Sequence, residues 1–108
     1  MDKGITVIGG SDCPVTNIEP LVDIAACVNG FNPVRNISVT DAIKMYTLNP
    51  AYSTRQENEK GTIETGKNAD LTVIDKDPYA YKDSKEIYEI DVLYTIRNGD
   101  ITYRKNQV

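Results

Sequence analysis

A chain of 108 residues with a formal charge of −4 has room for one modest core, but not for a large barrel. Its lysines and arginines are scattered, with no basic stripe to neutralise phosphates, which argues against nucleic acid as a partner. Its longest apolar runs cover only a few residues, which argues against a membrane span; the N-terminus lacks the apolar core and cleavage site of a leader, so the expected location is the cytoplasm. There is no histidine, and the only cysteines are Cys13 and Cys27. They are read as reduced thiols, because a secreted disulfide framework usually needs more, and two cysteines without histidine lack the ligands of a zinc site.

Residues 4–8, GITVI, are rich in β-branched side chains and bounded by glycine, which predicts a short buried strand. GGSDCPV follows as a turn with an aspartate, Asp12, at the strand's end. Residues 20–29 predict a helix: Pro20 suits the first helical position, Leu21, Ile24, Ala25 and Val28 follow the spacing of a buried face, and Gly30 suits the C-terminal cap. After the loop GFNPVRN, Ser38 opens a second helix with Asp41 three residues on, a weak capping box. Val39, Ala42, Ile43 and Tyr46 form its apolar face. Asn49-Pro50 ends it and starts a further short helix.

Beyond Lys60 the texture changes. Glycines and β-branched residues predict a strand over 61–64, a glycine turn over 65–67 and a strand over 70–75. DPYAYKDSKE reads as a polar connection. The alternating residues 92–97, then Asn98-Gly99, then DITYR, carry the strongest short-range hairpin signal there is. Tyr79, Tyr81, Tyr88, Tyr94 and Tyr103 are expected to pack within the sheet domain, since no basic groove accompanies them as a base-stacking surface would require. The segregation of helices from strands predicts an α+β fold in two layers.

Three motifs then carry a resemblance. GTIETGKNADLTVID resembles the C-terminal signature of amidohydrolase-superfamily enzymes at Gly61, Ile63, Gly66, Lys67, Ala69, Asp70, Leu71, Val73 and Asp75. TDAIKMYTLNPAY resembles the helix that follows their barrel, with Thr47, Asn49, Pro50 and Ala51 in its TxNPA ending. GGSDCPV resembles the turn after the eighth barrel strand in a branch of predicted metal-dependent hydrolases, although that family more often places a large aromatic where Cys13 stands. The resemblance implies residues 1–56 as the last strand and helices of a TIM barrel. It implies residues 57–108 as the C-terminal part of a composite, mainly antiparallel β-sandwich ending in a hairpin. Asp12 then takes the place of the family's catalytic aspartate, which binds the metal or its hydroxide and accepts a proton from the attacking water. The resemblance also implies a divalent metal, zinc, in the parent enzyme, and hydrolysis of a C–N or C–O bond of an amide, cyclic amide or ester. The remaining ligands would lie upstream of Met1, so the fragment alone is expected to bind no metal and to be inactive.

Lys67 and Asp70 look functional, but Gly66 and the strand that follows give them a structural place. GTIETGK resembles a P-loop only in its glycines and lysine, because Asn68 and a strand follow where a hydroxyl residue and a helix N-terminus are needed. A nucleophilic Cys13 lacks a histidine to activate it. A competing reading is a non-catalytic assembly module. Strand edges left without their sandwich partners, and an apolar strand at 4–8 without barrel neighbours, predict self-association as a dimer or larger oligomer. The expected partners are therefore the parent's N-terminal barrel and sandwich segments, or a second copy.

Overall fold

The computed structural model describes residues 3–30, 32–83 and 85–106. Phe31 of the predicted loop and Ser84 of the predicted connection lie outside them. Among the described residues the fold is α+β, with four short α-helices and a three-stranded antiparallel sheet.

Helix α1 spans Pro20–Val28 and buries Ile24, Ala25 and Val28, with Pro20 in its first turn. Its C-cap is Asn29, whose N–H bonds the Ala25 carbonyl, and not Gly30. Gly30 instead donates to Asn36 Oδ1 at 3.0 Å. A single 3-10 turn at Pro33–Arg35 leads to α2, Val39–Tyr46. Ser38 caps α2: its hydroxyl oxygen accepts from the Asp41 N–H at 3.0 Å while its O–H donates to the Asp41 carboxylate at 2.9 Å. Thr47 ends α2, and α3 follows at once over Leu48–Ser53.

Strand β1, Leu71–Ile74, pairs with β2, Val92–Arg97, and β2 pairs with β3, Asp100–Arg104. The β2–β3 turn places Asn98 at φ 50° and Gly99 at φ 85°, the two left-handed positions that this tightest hairpin requires and that suit asparagine and glycine. Leu71, Val73, Tyr94, Ile96 and Ile101 share one face of the sheet by register. That face has no second sheet over it among the described residues; Val73 and Ile101 are 37% and 51% exposed.

The core lies among the helices. Ile24, Ala25 and Val28 of α1 and Val39 and Ala42 of α2 meet Ile87 and Ile90, while Ile74 and Tyr81 pack at its margin. Ile87 belongs to α4, Lys85–Tyr88, a helix inside what reads as a polar connection. Ile87 and Ile90, three apart in a charged stretch, are the signal that marks it.

Two predicted strands are absent. Residues 4–8 join no sheet: Ile5, Val7 and Ile8 are 67%, 41% and 51% exposed. Their sequence suits a buried strand, but no described strand stands beside them. Residues 61–64 join no sheet: Gly61 and Thr62 form a bend and Ile63 is 87% exposed. There the Lys67 ammonium donates to the Glu57 carbonyl and to Thr62 Oγ1, both at 2.6 Å, and the Asn68 N–H bonds the Glu59 carbonyl at 2.8 Å. The segment is folded around a lysine instead of laid along a ladder. The tyrosines also depart from expectation. Of the five expected within the sheet domain, Tyr81 packs on the helical core and Tyr94 is half-buried with the Arg104 guanidinium over its ring, whereas Tyr79, Tyr88 and Tyr103 are 58%, 42% and 48% exposed. Of these three only Tyr103 lies on the sheet: Tyr79 stands in the connection, its hydroxyl 3.0 Å from Thr40 Oγ1, and Tyr88 ends α4.

Candidate functional site

Asp12 sits in a turn stabilised by its neighbours. The Val15 N–H bonds the Asp12 carbonyl at 2.9 Å around a cis Cys13–Pro14 bond. Ser11 Oγ accepts from the Cys13 N–H at 3.2 Å, and Thr16 Oγ1 donates to the Ser11 carbonyl at 2.7 Å. Asp12 itself takes φ 49°, a left-handed conformation that aspartate tolerates better than most residues. Ser11, not the Asp12 carboxylate, thus supplies the side-chain oxygen of the turn, and Asp12 is exposed to solvent.

The approach to this turn is fixed from the helices. Asn49 Nδ2 donates to the Val7 carbonyl at 2.8 Å, and the Gly9 N–H bonds the Met45 carbonyl at 2.9 Å. A Cβ built on Gly9 would stand 2.4 Å from the Tyr46 ring, so only glycine lets the backbone lie this close. Tyr46 is held in turn by α1, its hydroxyl donating to Asp23 Oδ2 at 3.1 Å. Burial, then the hydrogen bond and charge of Asp23, push the Tyr46 phenol up to about 12. Burial, followed by the charge of Asp23, also raises the Cys27 thiol, which keeps it protonated and a poor nucleophile.

The Tyr46 shift has a definite sign. Its folded value lies above the ordinary phenol value of about 10, so its contribution is complete below about pH 10 and lost as pH rises toward 12. Denaturant midpoints measured from pH 8 to 12 should therefore fall more for the native chain than for Tyr46→Phe within that window. Parallel curves for the two proteins would show that this phenol carries no such linkage.

The fit to a metal is incomplete. Among the described residues no three His, Cys, Asp or Glu side chains gather as a possible metal site, and the chain has no histidine. A catalytic zinc takes about three protein ligands, so Asp12 does not make this segment a metal centre by itself. An open, mainly apolar groove of about 420 Å³ lies between Ile5 and Val7 on one side and Cys27, Ile37 and Met45 on the other; Asp12 does not line it.

The other marked residues hold the fold. Besides its two bonds above, Lys67 pairs with Glu64 at 2.7 Å, and its hydrogen bond is the main reason the Glu64 carboxyl lies below its usual range. Asp70 Oδ1 accepts from the Asn98 N–H at 2.9 Å, beside a bond from the Gly99 N–H to the Ala69 carbonyl at 3.0 Å, so Ala69 and Asp70 brace the hairpin turn. Asp75 Oδ1 accepts from the Asp91 N–H at 2.9 Å, and the Asp75 N–H returns a bond to the Asp91 carbonyl at 3.1 Å. Asp91 also pairs with Lys105, which lowers its carboxyl. Sequence reasoning missed the Asn49 and Tyr46 contacts to the Asp12 segment. The only signal for them was Asn49's place in a motif.

The profile of the amidohydrolase family matches residues 1–103, and the chain belongs to that family. Such enzymes are generally metal-dependent. The chain is 34% identical over 116 aligned residues to the Bacillus subtilis (strain 168) protein YtcJ, covering 98% of this chain and 22% of that one. It is 31% identical to the N-substituted formamide deformylase of Arthrobacter pascens, over 97% of this chain and 20% of the enzyme. The crystal structure of an amidohydrolase from Thermotoga maritima MSB8 superposes with a TM-score of 0.77 at 26% identity, over 96% of this chain and 24% of the other. The chain thus spans about a fifth to a quarter of the length of the relatives it matches.

Proposed function

We propose that this chain is the C-terminal portion of a metal-dependent amidohydrolase that hydrolyses a C–N or C–O bond of an amide, cyclic amide or ester. The observation that carries the reading is the match over residues 1–103 to a family whose compared members are four to five times longer. In this reading residues 1–56 are the last strand and helices of a TIM barrel, and residues 57–108 are the C-terminal part of a composite sandwich. The exposed Ile5, Val7 and Ile8 favour it: they have the composition of a barrel strand and no strand beside them among the described residues. Asp12 is then the proton acceptor and one candidate ligand of the metal, zinc, whose other ligands lie outside these residues. The segment alone is inactive, and the enzyme is cytoplasmic.

The test is the source DNA upstream of the Met1 codon. An open frame continuing for roughly the length of a barrel domain, on the order of 250 residues or more, with a His-x-His after an early strand, supports the reading. A stop codon and ribosome-binding site immediately upstream overturn it.

A second reading has its own observation. The half-exposed apolar face of Leu71, Val73, Tyr94, Ile96 and Ile101, on which only Arg104 stands over the Tyr94 ring and no second sheet packs among the described residues, is what an assembly module would bury against a second copy. The chain alone is therefore expected to run as a dimer or larger species in light scattering at micromolar concentration. A sharp monomer would remove this reading.

A further inference from the structure

We infer that Asn49 and Tyr46 are positioning residues, which dock the segment 7–9 against the α2–α3 junction and thereby fix where the Asp12 turn stands. What that position serves rests on the reading of Asp12 proposed above; the docking itself rests on geometry. Residues 7–9 have no strand partner among the described residues, so their place is set by three contacts. Asn49 Nδ2 holds the Val7 carbonyl at 2.8 Å. The Met45 carbonyl holds the Gly9 N–H at 2.9 Å, using an oxygen in the last turn of α2, where helix carbonyls lack intrahelical partners. The Tyr46 ring lies flush on Gly9 and is itself tied to α1 through Asp23.

The chemistry of Asn49 is specific. Its amide offers an N–H donor to a carbonyl, which the isosteric carboxylate of aspartate does not. Asn49 also sits in the first turn of α3, two residues after the Thr47 break, and Thr47 Oγ1 secures that break by donating to the Ile43 carbonyl at 2.8 Å. Asp12 is three residues beyond Gly9, at most about 10 Å of extended chain. Release at Gly9 lets the carboxylate wander over ångströms, and a misplacement of about 1 Å costs on the order of a hundredfold in rate.

The experiment uses the ¹⁵N-labelled chain, with Asn49→Asp, Asn49→Ala, Gly9→Ala and Tyr46→Phe. Amide exchange with water and backbone relaxation are measured for residues 7–16, with the Ala42 and Ile87 amides as core references. Both Asn49 variants should speed exchange at Gly9 by roughly five- to tenfold, the effect of losing one hydrogen bond, and lower the order of residues 9–13. The core references should not change. Gly9→Ala wedges the segment off the ring and should do the same without touching Asn49. Tyr46→Phe keeps the ring and should leave Gly9 exchange within twofold of native. Gly9 exchange unchanged in the Asn49 variants overturns the inference, as does equal acceleration of the core amides. If the Asn49 variants do not fold, Gly9→Ala decides.

A second readout uses the complete enzyme. Asn49→Asp should lower kcat about tenfold or more with KM within twofold, beside an Asp12→Asn control. A normal kcat in Asn49→Asp beside an inactive control overturns the positioning role. A fully active Asp12→Asn instead removes the reading of Asp12 as the base, and the docking then stands or falls on the exchange data.

Discussion

Truncating Ile87 to alanine is expected to cost the chain about 2–5 kcal/mol, the range for removing a large aliphatic side chain from a closed core. Ile87 is fully buried and is the largest side chain so enclosed among the described residues. Helix α4 is too short to hold itself together, since isolated helices below about 12 residues are marginal in water. Its stability comes from packing of Ile87, with Ile90 just beyond the helix, in the cluster that holds Ile24, Ala25 and Val28. Domains of this size have roughly 5–15 kcal/mol in total, so the loss would remove much of the folded population. The check is a urea titration read against Ile63→Ala, whose parent side chain is 87% exposed and whose change should stay within about 0.5 kcal/mol. Equal midpoints for the two variants would mean that α4 does not belong to the core.

Asp12→Asn is expected to lower turnover of the complete amidohydrolase by about 10²–10⁴, the usual contribution of a positioned proton acceptor. Asparagine keeps the shape and the tolerance of the left-handed backbone, so the turn at φ 49° should persist and the melting temperature should hardly move. The carboxylate is what disappears. Chromogenic amide and ester probes, p-nitroacetanilide and p-nitrophenyl acetate, would report the rate. Native-like turnover by the variant would show that Asp12 accepts no proton in the reaction.

Local signals were legible in the sequence wherever neighbours along the chain decide the outcome. The Ser38–Asp41 cap, the apolar face of α1 and the Asn98-Gly99 turn depend on residues a few positions apart, and the structure shows each. The misses are tertiary. Residues 4–8 and 61–64 have strand composition, but a strand needs a partner ladder, and composition does not say whether one is present. Helix α4 was hidden because it sets a single core isoleucine, Ile87, beside two charged residues in a polar stretch. At the site, Asp12 could be singled out only through resemblance, since Ser-Asp between glycine and Cys-Pro is also ordinary turn chemistry. The Asn49–Val7 contact spans 42 positions, and no periodicity reports on a bond of that kind.

The paired bonds between Asp75 and Asp91 have a consequence for cooperativity. They close the base of the excursion through residues 76–90, and that excursion carries α4 into the helical core. Strand β1 enters it and β2 leaves it, so the β1–β2 ladder forms across the mouth of the same loop. The sheet's first pairing and the core's last member are therefore delivered by a single loop closure. Helices and sheet, which share few side chains, are thereby expected to melt in one transition, with coincident urea midpoints by far-ultraviolet circular dichroism and tyrosine fluorescence as the check.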